Sequence, residues 1–254
     1  MKSIILAAGP SSRLRPLTLE TPKTLLEING KTILERIMDA QRECGIEEFA
    51  IVRGFKKEMI NLPNVTYYDN DNFWETNILY SLMLAEDFME EGFIVSYCDI
   101  LYTSDVVQKL LDSPHDISLV IDTAWRERYE GRTSHPTDEA EIAVVENGLV
   151  KHLSKFYNPE AAYGESIGLK KFSAKGAEIL KRNYHRLKSN KWTRYTERFH
   201  DATKLEYAYL TDMILELLMR GYPIHSVDIQ NNWVEMDTMQ DFEYAKKMIS
   251  KGLL

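Results

Sequence analysis

Cysteine is scarce: Cys44 and Cys98 are the only two in 254 residues, and no CxxC occurs. That argues against a disulfide framework or a cysteine-ligated zinc site and fits a reducing compartment, so the expected location is cytoplasmic. Long hydrophobic runs are missing as well. No apolar stretch approaches the ~18 residues of a membrane span. The run Ile4 to Ala8 behind Lys2 is too short for a signal-peptide core, and Pro10 and Arg13 follow at once. No Lys/Arg stripe breaks a formal net charge of -8, which argues against a nucleic-acid or membrane partner and leaves any anion to a local site. Linkers, internal repeats and low-complexity tracts are absent too, so residues 1–254 read as one domain.

The chain does have apolar content: 44% of its residues are hydrophobic, enough for a substantial core. SIILAA reads as a buried strand and TLLEI (24–28) as a short one ended by Asn29-Gly30. Residues 31–44 carry Ile33, Leu34, Ile37 and Met38 at helical spacing, with Gly45 as the stop. EEFAIVRG, NVTYY, FIVSYCD and ISLVID give further strands, and residues 76–88 a helix with Thr76 as N-cap. Alternating strands and helices predict an α/β fold, a mostly parallel central sheet with helices on both faces. From 123 to 164 that pattern breaks into an insertion dense in arginine, aromatic residues and acids. A hairpin is expected at Asn147-Gly148, then a strand in ESIGLKKFS, helices over 174–187 and 207–220, the strand IHSVDI and a last helix behind Asp237.

LAAGPSSRLRPLTLETPK, residues 6–23, leaves the first strand through small residues and then gathers Arg13, Arg15 and Lys23. Gly9, Ala7 and Ala8 let backbone amides approach a ligand, and a turn of amides plus Arg13 makes a phosphate cradle. Neither GxxxxGK[ST] nor GxGxxG is present, so this is not a Walker loop or a dinucleotide fingerprint.

The run LAAGPSSRLRPLTLETPKTLLEINGK resembles the signature LA(A/G)GxG(S/T)RLxPLTxxxPKxLL of the nucleotidyltransferases. That family includes sugar-1-phosphate nucleotidyltransferases and phosphocholine cytidylyltransferases. The resemblance implies a Rossmann-like nucleotidyltransferase fold. Leu6, Ala7, Ala8 and Gly9 would hold the nucleoside, and Ser11 and Ser12 would also bind the nucleotide. Arg13 would meet the triphosphate, and Lys23 the α-phosphate and transferred group. Arg15 gets no catalytic part. One departure is Ser11, which stands where the family has its second loop glycine.

SYCDILY and WVEMDTMQDF also resemble the family, at the places where it puts metal-binding aspartates. Those are Asp99 and Asp237, which suit Mg²⁺ because that ion takes hard oxygen ligands and few carboxylates. As residues alone, Asp99 could cap a turn and Asp237 a helix. NDNFWETNILYSLMLA resembles the cytidylyltransferases of phosphonate or small phosphoester metabolism, so Asn77 and Ser81 are nucleoside candidates; the alternative is a helix start with a polar edge. In the insertion, Trp125, Arg128, Tyr129, Arg132, His135 and Glu141 would form the acceptor site, with arginine forks for phosphonate oxygens or aromatic faces for a quaternary ammonium. Local ion pairs on a solvated loop are the competing reading there. Cys98 is expected as an inert core thiol.

The implied activity is transfer of CMP from CTP to a small phosphonate or phosphomonoester, such as 2-aminoethylphosphonate or phosphocholine, with Mg²⁺ as cofactor. A sugar-1-phosphate enzyme using UTP or dTTP is the alternative, and a non-catalytic nucleotide-binding subunit is a further one. The acceptor and the oligomeric state stay open.

Overall fold

A computed structural model of the protein describes residues 1–135, 137–155, 158–189 and 198–254. Positions 136, 156 and 157 of the expected insertion lie outside the described residues. In chain order the elements are β1 (Lys2–Ala7), β2 (Glu27–Ile28), β3 (Lys31–Thr32), α1 (Ile33–Arg42), β4 (Phe49–Arg53), β5 (Thr66–Asp69) and α2 (Ile78–Met83). Next come β6 (Phe93–Tyr97), β7 (Ile100–Tyr102), α3 (Ser104–Asp112), β8 (Ile117–Asp122), α4 (Trp125–Tyr129), β9 (Ile142–Glu146) and β10 (Leu149–Ser154). The chain closes with β11 (Gly164–Phe172), α5 (Ala174–Ser189), α6 (Leu210–Met219), β12 (His225–Ile229), β13 (Trp233–Glu235) and α7 (Met239–Ser250).

A nine-stranded sheet in the order β5-β4-β1-β6-β11-β8-β12-β10-β9 forms the centre. The strands β4, β5 and β6 run parallel to β1 or its neighbours, and β12 runs parallel to β8. Only β11 and β10 run against this direction, pairing antiparallel with β6 and β8 and with β12 and β9. The sheet is therefore mostly parallel in strand direction, yet mixed where β11 is inserted. The hairpin β9–β10 turns at Asn147 (φ 52) and Gly148 (φ 75), the left-handed pair such a turn requires. It joins the central sheet through β12 and also pairs β9 antiparallel with β11, so the second half of the expected insertion continues the sheet.

Strands covered on both sides need apolar residues on both faces, which is why β1 reads as an unbroken run. Ile4 and Leu6 pack on the side of α2, α5 and α6, while Ile5 and Ala7 pack on the side of α1, α3 and α7. No helix among the described residues is long and apolar enough to cross a membrane.

Two local expectations change. Residues 23–25 form a 3-10 turn and only Glu27–Ile28 a strand, paired with Lys31–Thr32 around Asn29-Gly30. The helix expected from Thr76 has Asn77 as its N-cap, with the Asn77 side chain accepting from the Ile78 amide at 2.8 Å. Thr76 is diverted into the loop, where its hydroxyl donates to the Asn72 carbonyl at 2.8 Å.

Candidate active site

Because β1, β4, β6, β8 and β12 share a direction, their carboxyl ends meet along one edge of the sheet, the usual place for ligands in such folds. Gly9, Gly54, Asp99 and Asp122 all fall there. Gly54 answers to a packing need: a Cβ would lie 2.6 Å from the Ala8 carbonyl oxygen, so only glycine lets that turn close on the loop behind β1. At Gly9 no protein atom lies within 4 Å of a built Cβ, so the fold itself does not require glycine there. Ser11 adopts φ 47 and ψ 52, the left-handed region that its glycine counterpart enters freely. A serine holds it at a cost of roughly 1–2 kcal/mol, and the turn is secured by Thr18, whose hydroxyl donates to the Ser11 carbonyl at 2.8 Å.

Two cavities open at this edge. One, about 220 Å³, is lined by Leu6, Ala8, Gly9, Ser11, Asn77 and Ser81, together with Asn70, Phe73, Tyr97 and Asp99. Ala7 points away into the core on the α1 side, and Ser12 begins the next turn outside the lining. Asn70, buried, ties the wall together by donating to Thr76 Oγ1 and Ser81 Oγ, both at 2.9 Å. Cys98 packs against the core on the α1 side, as expected, and also borders this cavity; burial pushes its thiol up to about 12, so it stays protonated. The second cavity, about 170 Å³, contains Arg13, Glu141, Lys155, Glu165, Glu235 and Asp237, with Tyr97 and Asp99 shared between the two. A larger cavity of about 350 Å³ lies by α1 and the β7–α3 turn; it holds none of the candidate site residues.

Lys23 is buried behind the two aspartates. It is 4% exposed, and its ammonium lies 2.7 Å from Asp237 Oδ1 and 3.4 Å from Asp99 Oδ2. Burial disfavours the charge, but the two carboxylates outweigh burial and hold Lys23 well above the ordinary lysine range. Asp237 is likewise raised by burial and pulled down further by Lys23 and Arg13, to about 2. Arg13 reaches across to Asp237 and Glu139 with its two terminal nitrogens. The helix-capping alternative for Asp237 fails here. Thr238 is the N-cap of α7, in a reciprocal box with Asp241, which leaves the Asp237 carboxylate free for the cleft.

The arginines expected to face an acceptor stand behind the cavity wall instead. Arg128 pairs with the fully buried Asp122 at 2.8 Å and stacks on Trp233, and Arg132 pairs with Asp241 at 2.9 Å. The Tyr129 hydroxyl donates to Glu165 at 2.8 Å, and Trp125 is 1% exposed. His135 Nδ1 lies 2.8 Å from a terminal nitrogen of Arg132. A buried guanidinium needs a carboxylate, and these residues supply each other. Of the six expected acceptor residues, Glu141 alone reaches the lining, held 3.4 Å from the buried Lys170. Lys155, Glu165, Tyr209 and Glu235 line the same cavity although nothing in the sequence singled them out. Burial pushes Glu165 up to about 7 and, with Asp237 and Glu165 nearby, Glu235 well above the carboxylate range.

Tyr97 divides the two cavities, and its ring lies against Gly168, which has φ +82. A Cβ at Gly168 would come 2.5 Å from Tyr97 Cδ2, and Lys170 lies over the ring at 4.8 Å, so the ring has little room to yield. Gly168→Ala is expected to cost about 1–3 kcal/mol in denaturant unfolding and to raise KM for both substrates. Unchanged unfolding midpoints would show that Tyr97 can move.

Two donor sets could hold a metal ion. Asp99 and Asp237 offer hard oxygens, and Asp99 Oδ1 is buried with no hydrogen-bond partner among the described residues. His135, Glu139 and Asp237 offer atoms within 4.8 Å of one another, but Arg13 is paired with two of them. The first set fits Mg²⁺ better, since it is all oxygen and leaves room for phosphate ligands.

A Rossmann-like sheet with paired cavities and a Lys23–Asp99–Asp237 cluster at its carboxyl edge defines a nucleotidyltransferase. Residues 3–169 match the MobA-like NTP transferase domain, and the chain belongs to that family. It is 32% identical to the CTP:phosphoglutamine cytidylyltransferase of Campylobacter jejuni, over 96% of this chain and 98% of that one. It is 26% identical to the 2-aminoethylphosphonate cytidylyltransferase of Lancefieldella rimae, over 94% of this chain and 89% of that protein. The solved structure of the CTP:phosphocholine cytidylyltransferase of Streptococcus pneumoniae superposes with a TM-score of 0.73, covering 98% of each chain at 20% identity. The non-catalytic alternative finds no support in a site that retains Arg13, Lys23, Asp99 and Asp237 in contact.

Proposed function

We propose that the protein transfers CMP from CTP to a small phosphomonoester or phosphonate and releases pyrophosphate, with Mg²⁺ as cofactor. The observation that carries this reading is the buried Lys23 pairing with Asp99, which lines both cavities, and with Asp237, which lines the second. The cavity behind β1 takes the nucleoside, with Asn70, Asn77 and Ser81 as polar groups for the base and ribose. The second takes the acceptor, and its modest 170 Å³ favours a molecule smaller than a hexose phosphate. Cytidylyl transfer also appears in the names of two relatives that match over 96% and 94% of this chain, which supports cytosine over uracil or thymine.

An acceptor phosphate loses its second proton at pKa ~6 and is a dianion near neutral pH, so it needs no general base. Its oxygen forms a bond to the α-phosphorus of CTP as the bond to the bridging β-phosphate oxygen breaks, and pyrophosphate leaves in line. Mutual repulsion of two anions is the barrier. Lys23 and Arg13 lower it by exchanging their carboxylate partners for phosphate oxygens, charges already positioned before the reaction begins. Bound at Asp99 and Asp237, Mg²⁺ would neutralise triphosphate charge.

A pyrophosphate-release screen tests the reading by crossing four nucleoside triphosphates with phosphonates, phosphomonoesters and hexose 1-phosphates. CTP is expected to lead in kcat/KM by at least ~10²-fold, as polar groups left unpaired by the wrong base would demand. Turnover confined to UTP or dTTP with a hexose 1-phosphate would overturn it in favour of the sugar-nucleotide alternative.

A further inference from the structure

Much of the hydrogen-bonding capacity around the nucleotide cavity is spent within the chain. Asn70 donates to Thr76 and Ser81, and its oxygen accepts from the Asn72 amide at 3.0 Å. Asn77 caps α2 through its oxygen and donates its amide to the Tyr207 carbonyl at 3.1 Å. The polar contacts left for a base add little net affinity, because each replaces one the base already makes with water. A flat pyrimidine gains more from a flat apolar surface. Among the described residues, two aromatic side chains line this cavity, Phe73 and Tyr97. Tyr97 is shared with the acceptor cavity and already has Lys170 over its ring at 4.8 Å. That leaves Phe73, which is half-buried.

Phe73 is held in place from several sides. A Cβ at Gly54 would lie 3.0 Å from the Phe73 Cβ as well as 2.6 Å from the Ala8 carbonyl oxygen. The glycine that lets the turn close on the loop behind β1 therefore also lets Phe73 come up beside that loop. The Phe55 amide donates to the Ala8 carbonyl at 3.0 Å, and the Phe55 ring meets the Phe73 ring edge-on at 6.2 Å and 75°. Residues 70–76 are closed on themselves, since the Thr76 hydroxyl and the Glu75 amide both donate to the Asn72 carbonyl, at 2.8 and 2.9 Å. Trp74 packs on Phe73 with ring centroids 5.1 Å apart and, 66% exposed, extends the aromatic row into solvent. Gly9 lines the same cavity, and its unfilled side leaves space for a planar ligand next to the backbone.

We propose that Phe73 stacks on the pyrimidine ring of the nucleotide, with Trp74 backing it, so that residues 70–76 clamp the base. This deepens the transferase reading and rests on it. Phe73 is a positioning residue: the clamp fixes the nucleoside end, while Lys23 and Arg13 meet the phosphates at the other. Because Trp74 touches the stacking ring, filling the cavity changes the surroundings of its indole.

The test measures binding of CTP and of inorganic tripolyphosphate, each with Mg²⁺ and without acceptor, by calorimetry. Phe73→Ala is expected to raise the Kd for CTP by ~10-fold or more, the scale of one base–aromatic stack. Binding of tripolyphosphate, which has no base, should be unchanged, and Phe73→Tyr should restore the affinity for CTP. CTP should also alter the tryptophan fluorescence of the wild type, and Trp74→Phe should abolish that change. Unaltered CTP affinity in Phe73→Ala would overturn the inference, as would equal losses for CTP and tripolyphosphate, which would make Phe73 a structural prop. A fluorescence change that survives Trp74→Phe would remove Trp74 from the clamp. In each of these cases pyrophosphate release by the wild type with CTP and an acceptor would leave the transferase reading intact. A wild-type protein that binds no nucleoside triphosphate would overturn both readings together.

Discussion

Lys23→Ala is expected to lower kcat by at least ~10²-fold, the loss that follows removal of one preorganised electrostatic contact. Position rather than charge alone is the reason. The ammonium is almost fully enclosed and held by Asp99, which lines both cavities, and by Asp237, so its charge is in place before charge develops on the transferring phosphoryl group. The same substitution leaves Asp99 and Asp237 facing each other without their cation, and breaking a buried pair in this way costs about 3–5 kcal/mol. Lost activity could then be mistaken for lost fold. Lys23→Met, which keeps the apolar stem, separates the two when kcat is measured below the melting transition. A further sign should accompany it: added Mg²⁺ should raise the melting temperature of Lys23→Met more than that of the wild type, because the ion replaces the missing positive charge. Near-full turnover in a folded Lys23→Met protein would remove Lys23 from the chemistry.

The loop behind β1 was legible in the sequence because its parts are close together along the chain. Residues 6–23 leave one strand and return as one loop, so the spacing of Gly9, Arg13 and Lys23 already describes a single structural unit. Asn77 and Ser81 were readable for a similar reason, being one helical turn apart. The acceptor side was not. Its floor is made when β11 inserts between β6 and β8, carrying Glu165 beside Tyr97 through a pairing that no local pattern encodes. Lys155 and Tyr209 arrive from still other segments.

Arg128 and Arg132 were misread because a buried arginine–aspartate pair and an arginine anion-binding patch have the same composition. Only the positions of Asp122 and Asp241 distinguish them, and Asp241 is more than a hundred residues away along the chain. In the same way, Asp237 ahead of α7 was an equally good cap on paper. Thr238 takes that task in the fold, and Asp237 is thereby released for the cleft.

Asp237→Asn isolates what that released carboxylate does. Asparagine has nearly the same shape and can still accept from Lys23 through its oxygen, so packing is preserved while one charge is lost. If Asp237 holds the metal ion, the Mg²⁺ concentration for half-maximal rate should rise at least ~10- to 100-fold, the range seen even when indirect metal contacts are lost. The rate at saturating Mg²⁺ should also fall by ~10²-fold or more. Asp241→Asn is the contrasting variant: it weakens the α7 cap and the Arg132 pair, so it should lower the melting temperature while leaving the Mg²⁺ requirement near that of the wild type. Stability gives an independent reading of Asp237. Its folded-state value, about 2, lies below the ~3.9 of an unfolded chain, so its stabilisation is complete above pH ~4 and is lost as pH falls towards 2. Asp237→Asn should thus melt below the wild type at pH 7, by on the order of 2 kcal/mol, and approach it near pH 2. A variant with the wild-type Mg²⁺ requirement but this stability profile would make Asp237 a counter-ion for Lys23 and Arg13, and the metal would have to be held by Asp99 with other ligands.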